Sequence, residues 1–370
     1  MITPEKVEKI SLDPEDTTSP SQNSRSKKYL ILGVLCVFAF GFLFFFKPKN
    51  ENTQKISPQE IQIQSELESD PFYELTIPYL RSRQYESKLE EPEFYAESGN
   101  YTSYLTSYSS DGNTINSLLT IPEGEVPDGG WPAVIFIHGY IPPLQYVTTE
   151  KYVDYVDFLA RNGFVVMKID LRGHGESEGE PGGGYYGSDY IVDTLSAYTA
   201  LQGFEKVNKD KIGLWGHSMA GNIIMRSMAA MPSIPAGVIW AGAVYTYVDM
   251  REYGIQDSSY QPLPTDTQRQ SKRRELFEKH GTPSAESVFW QEVAPVNYLS
   301  DLEGAVQIHH AIDDNVVSIG YSRDLSSYLE NESIPHELHE YVSGGHNITG
   351  GSFVTAMQRT VDFYKKYLGE

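Results

Sequence analysis

The chain has 370 residues, 40% of them hydrophobic, enough to bury the core of one or two domains. Asp and Glu outnumber Lys and Arg by 50 to 29, which leaves a formal charge of −21. Nucleic-acid binding needs clustered Lys and Arg, so this balance excludes such a partner, and the excess acid reads as solvated surface.

Residues 1–28 are polar, with Pro4, Pro14 and Pro20 set among Ser, Thr and Asp, and read as a disordered tail. Residues 29–46 are 18 uncharged positions bounded by Lys27-Lys28 and Lys47-Pro-Lys49. As a helix rising 1.5 Å per residue they span about 27 Å, enough for a bilayer core. The run is apolar on every face, unlike a packed core helix, and lacks the small-residue cleavage site of a signal peptide. A single transmembrane helix is predicted. Lys and Arg nearly balance across it, so the orientation rests on the short N-terminal tail and the large domain that follows, which favour placing that domain outside the cytoplasm. The only cysteine, Cys36, lies within the span, so cysteine usage does not distinguish compartments. Residues 47–70 read as a polar tether, and residues 71–95, with Phe72, Leu75, Ile77 and Leu80, as a short element packing on the domain.

From residue 101 onward, strand and helix patterns alternate. Strands are predicted near 101–108, 114–121, 132–138, 164–170, 211–216, 236–241, 305–310 and 335–342, and helices near 149–162, 188–203, 219–231, 319–331 and 349–368. This rhythm predicts a mostly parallel sheet covered on both faces, opened by an antiparallel hairpin at Asp111-Gly112. Residues 243–298 interrupt it with Tyr245, Tyr247, Tyr253 and Tyr260, a Pro-rich turn at 262–264 and a basic run from Arg269 to Arg274. An insertion there is predicted to form a cap or lid, its tyrosines supplying contacts to what binds beneath it, with a loop that merely packs on the domain as the alternative.

Four segments carry chemistry. Pro132-Ala-Val-Ile-Phe-Ile-His138-Gly139-Tyr140 reads as a buried strand ending in a His-Gly turn. Ile212-Gly-Leu-Trp-Gly216-His217-Ser218-Met219-Ala220 is an apolar run followed at once by a helical pattern, the setting of a nucleophile elbow. Val306-Gln-Ile-His-His310-Ala-Ile-Asp313-Asp314 is a strand running into paired aspartates, and Ser343-Gly-Gly-His346 puts a histidine on a Gly-flanked loop before the last helix. A serine hydroxyl needs an imidazole to take its proton, and the imidazole needs a carboxylate to fix its tautomer. Serine, acid and histidine occur here in the order that acyl transfer on such a sheet requires. The oxyanion would be held by the backbone N–H groups of Met219 and Tyr140, a donor of this kind contributing roughly 3–4 kcal/mol to the transition state.

These residues, in this order, resemble the prolyl oligopeptidase family of serine peptidases, within the α/β-hydrolase superfamily. The resemblance spans residues 100–368 and includes Ser110-Asp111-Gly112 with the strand after it, Asp170-Leu-Arg-Gly-His-Gly-Glu-Ser177, and the His310-x-x-Asp313-Asp314-Asn-Val run. It implies an α/β-hydrolase fold, a catalytic triad of Ser218, Asp313 and His346, with the first aspartate preferred as the acid over the adjacent Asp314, which could rotate in, and no cofactor. Two departures stand out: Ala220 replaces the family's usual Gly, and His310 stands where it usually has Gly. Too few residues precede the catalytic region for the family's β-propeller, so esterases and other acyl hydrolases fit nearly as well.

His138 and His217 read as structural neighbours of the turn and the nucleophile, and Asp170, Arg172 and His174 as residues that bond loops together. His336 and His339 are three apart on a predicted strand rather than four apart on a helix, so they are not a zinc pair. Gly182-Gly183-Gly184 lacks the preceding strand of a dinucleotide fingerprint. The expectation is a membrane-anchored serine hydrolase acting on a peptide or small acyl substrate, peptidase before carboxylesterase, with a catalytically silent binding module as the remaining reading.

Overall fold

The computed structural model describes residues 68–182, 184–258 and 266–369. The predicted tail, transmembrane helix at 29–46 and most of the tether lie outside the described residues, as does the Pro-rich turn of the insertion. Among the described residues, no helix is long and apolar enough to cross a membrane.

Among the described residues nine strands form one sheet: β1 Glu93–Glu97, β2 Tyr101–Ser110, β3 Asn113–Pro122, β4 Trp131–Ile137, β5 Val165–Ile169, β6 Val207–His217, β7 Ala236–Trp240, β8 Ala305–Ala311 and β9 His336–Tyr341. Their order is β1-β2-β3-β5-β4-β6-β7-β8-β9. The pairs β1/β2, β2/β3 and β3/β5 are antiparallel, and every later pair is parallel. Asp111 and Gly112 both take positive φ, 49° and 78°, the two-residue turn that matches the twist of the flanking strands. β1 was not foreseen. It is a largely exposed edge strand whose Glu-Phe-Tyr-Ala-Glu run carries no clean alternation.

Period 2 along the central strands sorts side chains to two cores. Ile135, Ile137 and Leu214 join one cluster, while Val134, Phe136 and Trp215 join the other. Helices α2 Val153–Arg161 and α9 Phe353–Leu368 cover the second face; α3 Asp189–Gln202, α4 Ala220–Ala230 and α8 Gly320–Asn331 cover the first. Under α2 and α9 lies an aromatic stack: Phe136 and Trp215 are parallel at 4.0 Å, and the Tyr155 ring lies 5.4 Å from Trp215 and 5.3 Å from Trp240.

Every residue of α4 is buried, including Arg226. Its guanidinium donates to the carbonyls of Gly187 and Leu75, and Arg81 donates to the Ala229 carbonyl. These bonds, with buried Leu75, Ile77 and Leu80, dock the segment around α1 (Ile77–Ser82) on α4.

The insertion folds as α5 Asp249–Tyr253, α6 Asp266–His280 and α7 Val288–Val293. Tyr260 lies outside the described residues, and the other three tyrosines do not line the cavity over Ser218. Tyr245 and Tyr247 are each 1% exposed within the first core, and Tyr253 donates to Asp324 and packs on Tyr321. Apolar burial of Leu276, Phe289, Trp290 and Val293 fixes this region to the domain.

Candidate active site

β6 ends at His217 and α4 begins at Ala220, leaving Ser218 on the turn with φ 57°. A non-glycine residue in this region costs on the order of 1–3 kcal/mol and persists only where its surroundings hold it. Here the Ser218 N–H donates to the Trp240 carbonyl at 2.8 Å, and the Gly221 N–H donates to the Ser218 carbonyl at 2.9 Å. The small residues are sterically required. A Cβ on Gly216 would lie 2.6 Å from that of Ala220, and one on Gly221 would lie 2.7 Å from the Gly242 Cα. Ala220 is therefore accommodated because Gly216 faces it.

His346 lies on the loop between β9 and α9, with its Nδ1 2.8 Å from Oδ2 of Asp314. The acid expectation is corrected at this point: Asp313 does not reach the histidine. It is exposed and accepts from the backbone N–H groups of Gly345 at 2.8 Å and Gly344 at 3.3 Å, bracing the loop that carries His346. The cause is the turn after β8. The Asp314 N–H returns to the Ala311 carbonyl, which swings Asp314 inward over its own strand and leaves Asp313 at the rim. Asp314 Oδ1 then accepts from the N–H groups of Val316 and Val317.

A residue without an assigned role in the sequence completes the acid's surroundings. His310 Nε2 stands 3.2 Å from Asp314 Oδ2 and 3.0 Å from the Val317 carbonyl, and its Nδ1 is 2.6 Å from Ser322 Oγ. The carbonyl can only accept, so Nε2 carries the proton and the Ser322 hydroxyl donates to Nδ1. His310 stands where the resemblance has Gly, and that departure was the signal for it. Burial alone would raise the Asp314 carboxyl, but bonds from His310, His346 and the Val317 amide hold it well below the usual carboxylate range.

His138, Gly139 and Tyr140 follow β4. Tyr140 lines the same cavity as Ser218, and Met219 takes the N-cap of α4, where the first helical N–H groups have no intrahelical acceptor. His138 is fully buried against the rings of Tyr146 and His174, with Nδ1 on the Gly139 carbonyl; burial and then His174 push it well below the ordinary histidine value. It shapes the turn and does not line the cavity. His217 is also held neutral, pushed down to about 3 by burial and by the neighbouring His346.

The cavity over Ser218 has a volume of about 560 Å³. Tyr140, Tyr152, Tyr155, His217 and His346 form its walls, and the described part of the insertion contributes Asp257 and Ser258. The loop after β5 is anchored to α3, Arg172 pairing with buried Asp193 and with Asp189. On β9, His336 faces Ser326 while His339 faces Gln307 and Glu337. Among the described residues no three His, Cys, Asp or Glu side chains are grouped to hold a metal ion.

The family model described as serine aminopeptidase, S33, matches residues 132–258, the stretch from β4 past the Ser218 turn and β7 to just beyond α5. An uncharacterised peptidase of Bacillus subtilis is 26% identical over 259 residues, covering 70% of this chain and 91% of that protein. Acetyl xylan esterase 1 from a Thermoanaerobacterium species superposes with a TM-score of 0.56 at 19% identity, covering 79% of this chain and 92% of the esterase. Porphyromonas gingivalis dipeptidyl peptidase 4 superposes at 0.54 with 21% identity, covering 72% of this chain and 36% of the peptidase. The chain has the α/β-hydrolase fold, and its similarities run to peptidases and esterases alike.

Proposed function

We propose that the protein is a serine hydrolase that forms an acyl-enzyme, with a peptide as the favoured substrate class. Ser218 attacks the carbonyl, His346 accepts its proton and returns it to the leaving group, and Asp314 holds His346 in the Nδ1–H tautomer. The backbone N–H groups of Met219 and Tyr140 receive the oxyanion. The observation that carries this reading is the 2.8 Å His346–Asp314 bond beside a serine held at positive φ at the mouth of one cavity. A fluorophosphonate probe should label the wild-type chain and not Ser218→Ala. Equal labelling of both would refute the nucleophile.

A prolyl-oligopeptidase-like peptidase is favoured by the resemblance of the chain's motifs and by its similarity to the serine aminopeptidase family and the B. subtilis peptidase. The esterase reading is favoured by the superposition that covers nearly all of an acetyl xylan esterase. Amide cleavage needs a protonated leaving amine and contacts remote from the scissile bond, so matched ester and amide substrates separate the two. Robust ester turnover with no amide turnover across a broad peptide library would establish the esterase.

Residues 29–46 are proposed to anchor the chain with the catalytic domain outside the cytoplasm, on the strength of their uninterrupted apolar run. Protease added to intact cells should then release the domain. Its survival until lysis would reverse the topology.

A further inference from the structure

Tyr152 is a second residue held at positive φ, 58°, directly before α2, and its side chain reaches into the site. The Gly139 N–H donates to the Tyr152 hydroxyl at 3.1 Å, and that hydroxyl lies 2.8 Å from His217 Nδ1. At the far side of the ring, His217 Nε2 is 2.9 Å from the His346 carbonyl. The carbonyl oxygen can only accept, so Nε2 bears the proton, Nδ1 is the acceptor, and the tyrosine hydroxyl donates to it. Every proton in the chain is thereby placed: Gly139 N–H to Tyr152, Tyr152 O–H to His217, His217 Nε2–H to the backbone of His346.

The packing around this chain is close. A Cβ on Gly139 would lie 3.0 Å from the Tyr152 hydroxyl and 3.1 Å from His217 Nδ1, so any larger residue would press on both groups and make them give by a few tenths of an ångström. Tyr155, one helical turn on, donates to the Asn347 carbonyl at 2.7 Å and ties α2 to the same histidine loop. Burial keeps the tyrosine hydroxyl protonated and His217 neutral, so the direction of donation is constant over the working pH range.

We propose that Tyr152 and His217 form a positioning relay that sets the oxyanion turn at Gly139–Tyr140 and the His346 loop relative to one another. The proposal rests on the serine-hydrolase reading for its kinetic consequence only. The two halves of the site come from distant strands, β4 and β9, and the relay is a hydrogen-bonded connection between them that passes beside the nucleophile. Neither residue takes a proton from substrate. A misplacement of about 1 Å between donor and base is enough to cost up to about 100-fold in rate.

The test uses the full chain with Tyr152→Phe, His217→Gln and the double variant. Each single change should lower kcat on p-nitrophenyl acetate about 10–100-fold, with KM within about twofold and a comparable fall in fluorophosphonate labelling rate. The double variant should be no worse than the poorer single, because the two residues act as one unit. Hydrogen exchange gives a readout independent of catalysis. Tyr152→Phe should speed exchange in residues 344–349, and His217→Gln in residues 138–141. Multiplicative kinetic losses, or exchange changes confined to the segment each side chain touches, would overturn the relay. If one variant fails to fold, the exchange pattern of the other decides. If the wild type takes no label, the hydrolase reading fails, while the exchange experiment still judges the relay.

Discussion

Exchanging the two neighbouring aspartates for asparagine discriminates between them, because the substitution is isosteric and each carboxylate has a different set of partners. In Asp314→Asn, Oδ1 can still accept from Val316 and Val317, so the turn should keep its shape. The new amide nitrogen would then occupy the position of Oδ2, facing His346 at 2.8 Å and His310 at 3.2 Å. An amide donor there favours the tautomer of His346 that carries its proton on Nε2, where it can no longer accept one from Ser218. The expected loss in kcat is about 10³–10⁴-fold, or roughly 4–5.5 kcal/mol of transition-state stabilisation. Asp313→Asn retains an acceptor for the Gly345 N–H and should cost less than about tenfold. Steady-state kinetics on one activated ester, with melting temperatures as a control for folding, measure both. A crippling Asp313→Asn beside a mild Asp314→Asn would show that the turn is formed differently and that the geometry argued above is wrong.

Ser218→Ala and His346→Ala should each abolish most turnover, and the double variant should be little worse than either, since triad members act as a unit; independent losses in kcat would contradict this. Tyr140→Phe should cost less than about tenfold, or 1.4 kcal/mol, because the backbone N–H and not the phenol is assigned to the oxyanion; a loss of several hundredfold would reassign it. The folded chain should also be acid-labile. His217 binds its proton only near pH 3 when folded and near 6.5 when unfolded, so stability falls as pH drops through that window, by roughly 4–5 kcal/mol for this one residue. Denaturant titrations of His217→Gln between pH 3 and 6.5 should give a flatter profile, and an unchanged slope would place that proton uptake elsewhere.

Much of this architecture could be read from the chain because its periodicities are strong. The central strands are buried along their length, and eight of the nine strands fall where short apolar runs bounded by turns placed them. The turn that carries Ser218 and the loop that carries His346 were legible because their settings, strand-to-helix and Gly-flanked, are local. Which carboxylate faces His346 was not. Two adjacent aspartates after one strand differ only in which of them a single turn rotates inward, and that depends on one hydrogen bond to Ala311. Tyr245 and Tyr247 misled for a related reason. They stand two apart, the strand spacing, but lie in an interval with no strand of its own, so nothing local showed that burial in the first core would outweigh the polarity of their hydroxyls. Tyr152 carries no motif, and the place of His217 at the turn before Ser218 does not name its partner; their roles follow from contacts made across more than sixty positions of sequence.

The aromatic stack beneath α2 gives the molecule a built-in optical reporter. Trp215 sits three positions before Ser218 and Trp240 accepts the Ser218 N–H at its carbonyl, and both indoles are shielded from water. Tyr155 packs on both rings while its hydroxyl donates to the Asn347 carbonyl beside His346. Any excursion of the histidine loop that pulls on Tyr155 must therefore change the packing, and with it the quenching, of two buried fluorophores. Tryptophan emission, followed in a stopped-flow instrument without any attached dye, would register loop movement during acylation on the timescale of turnover.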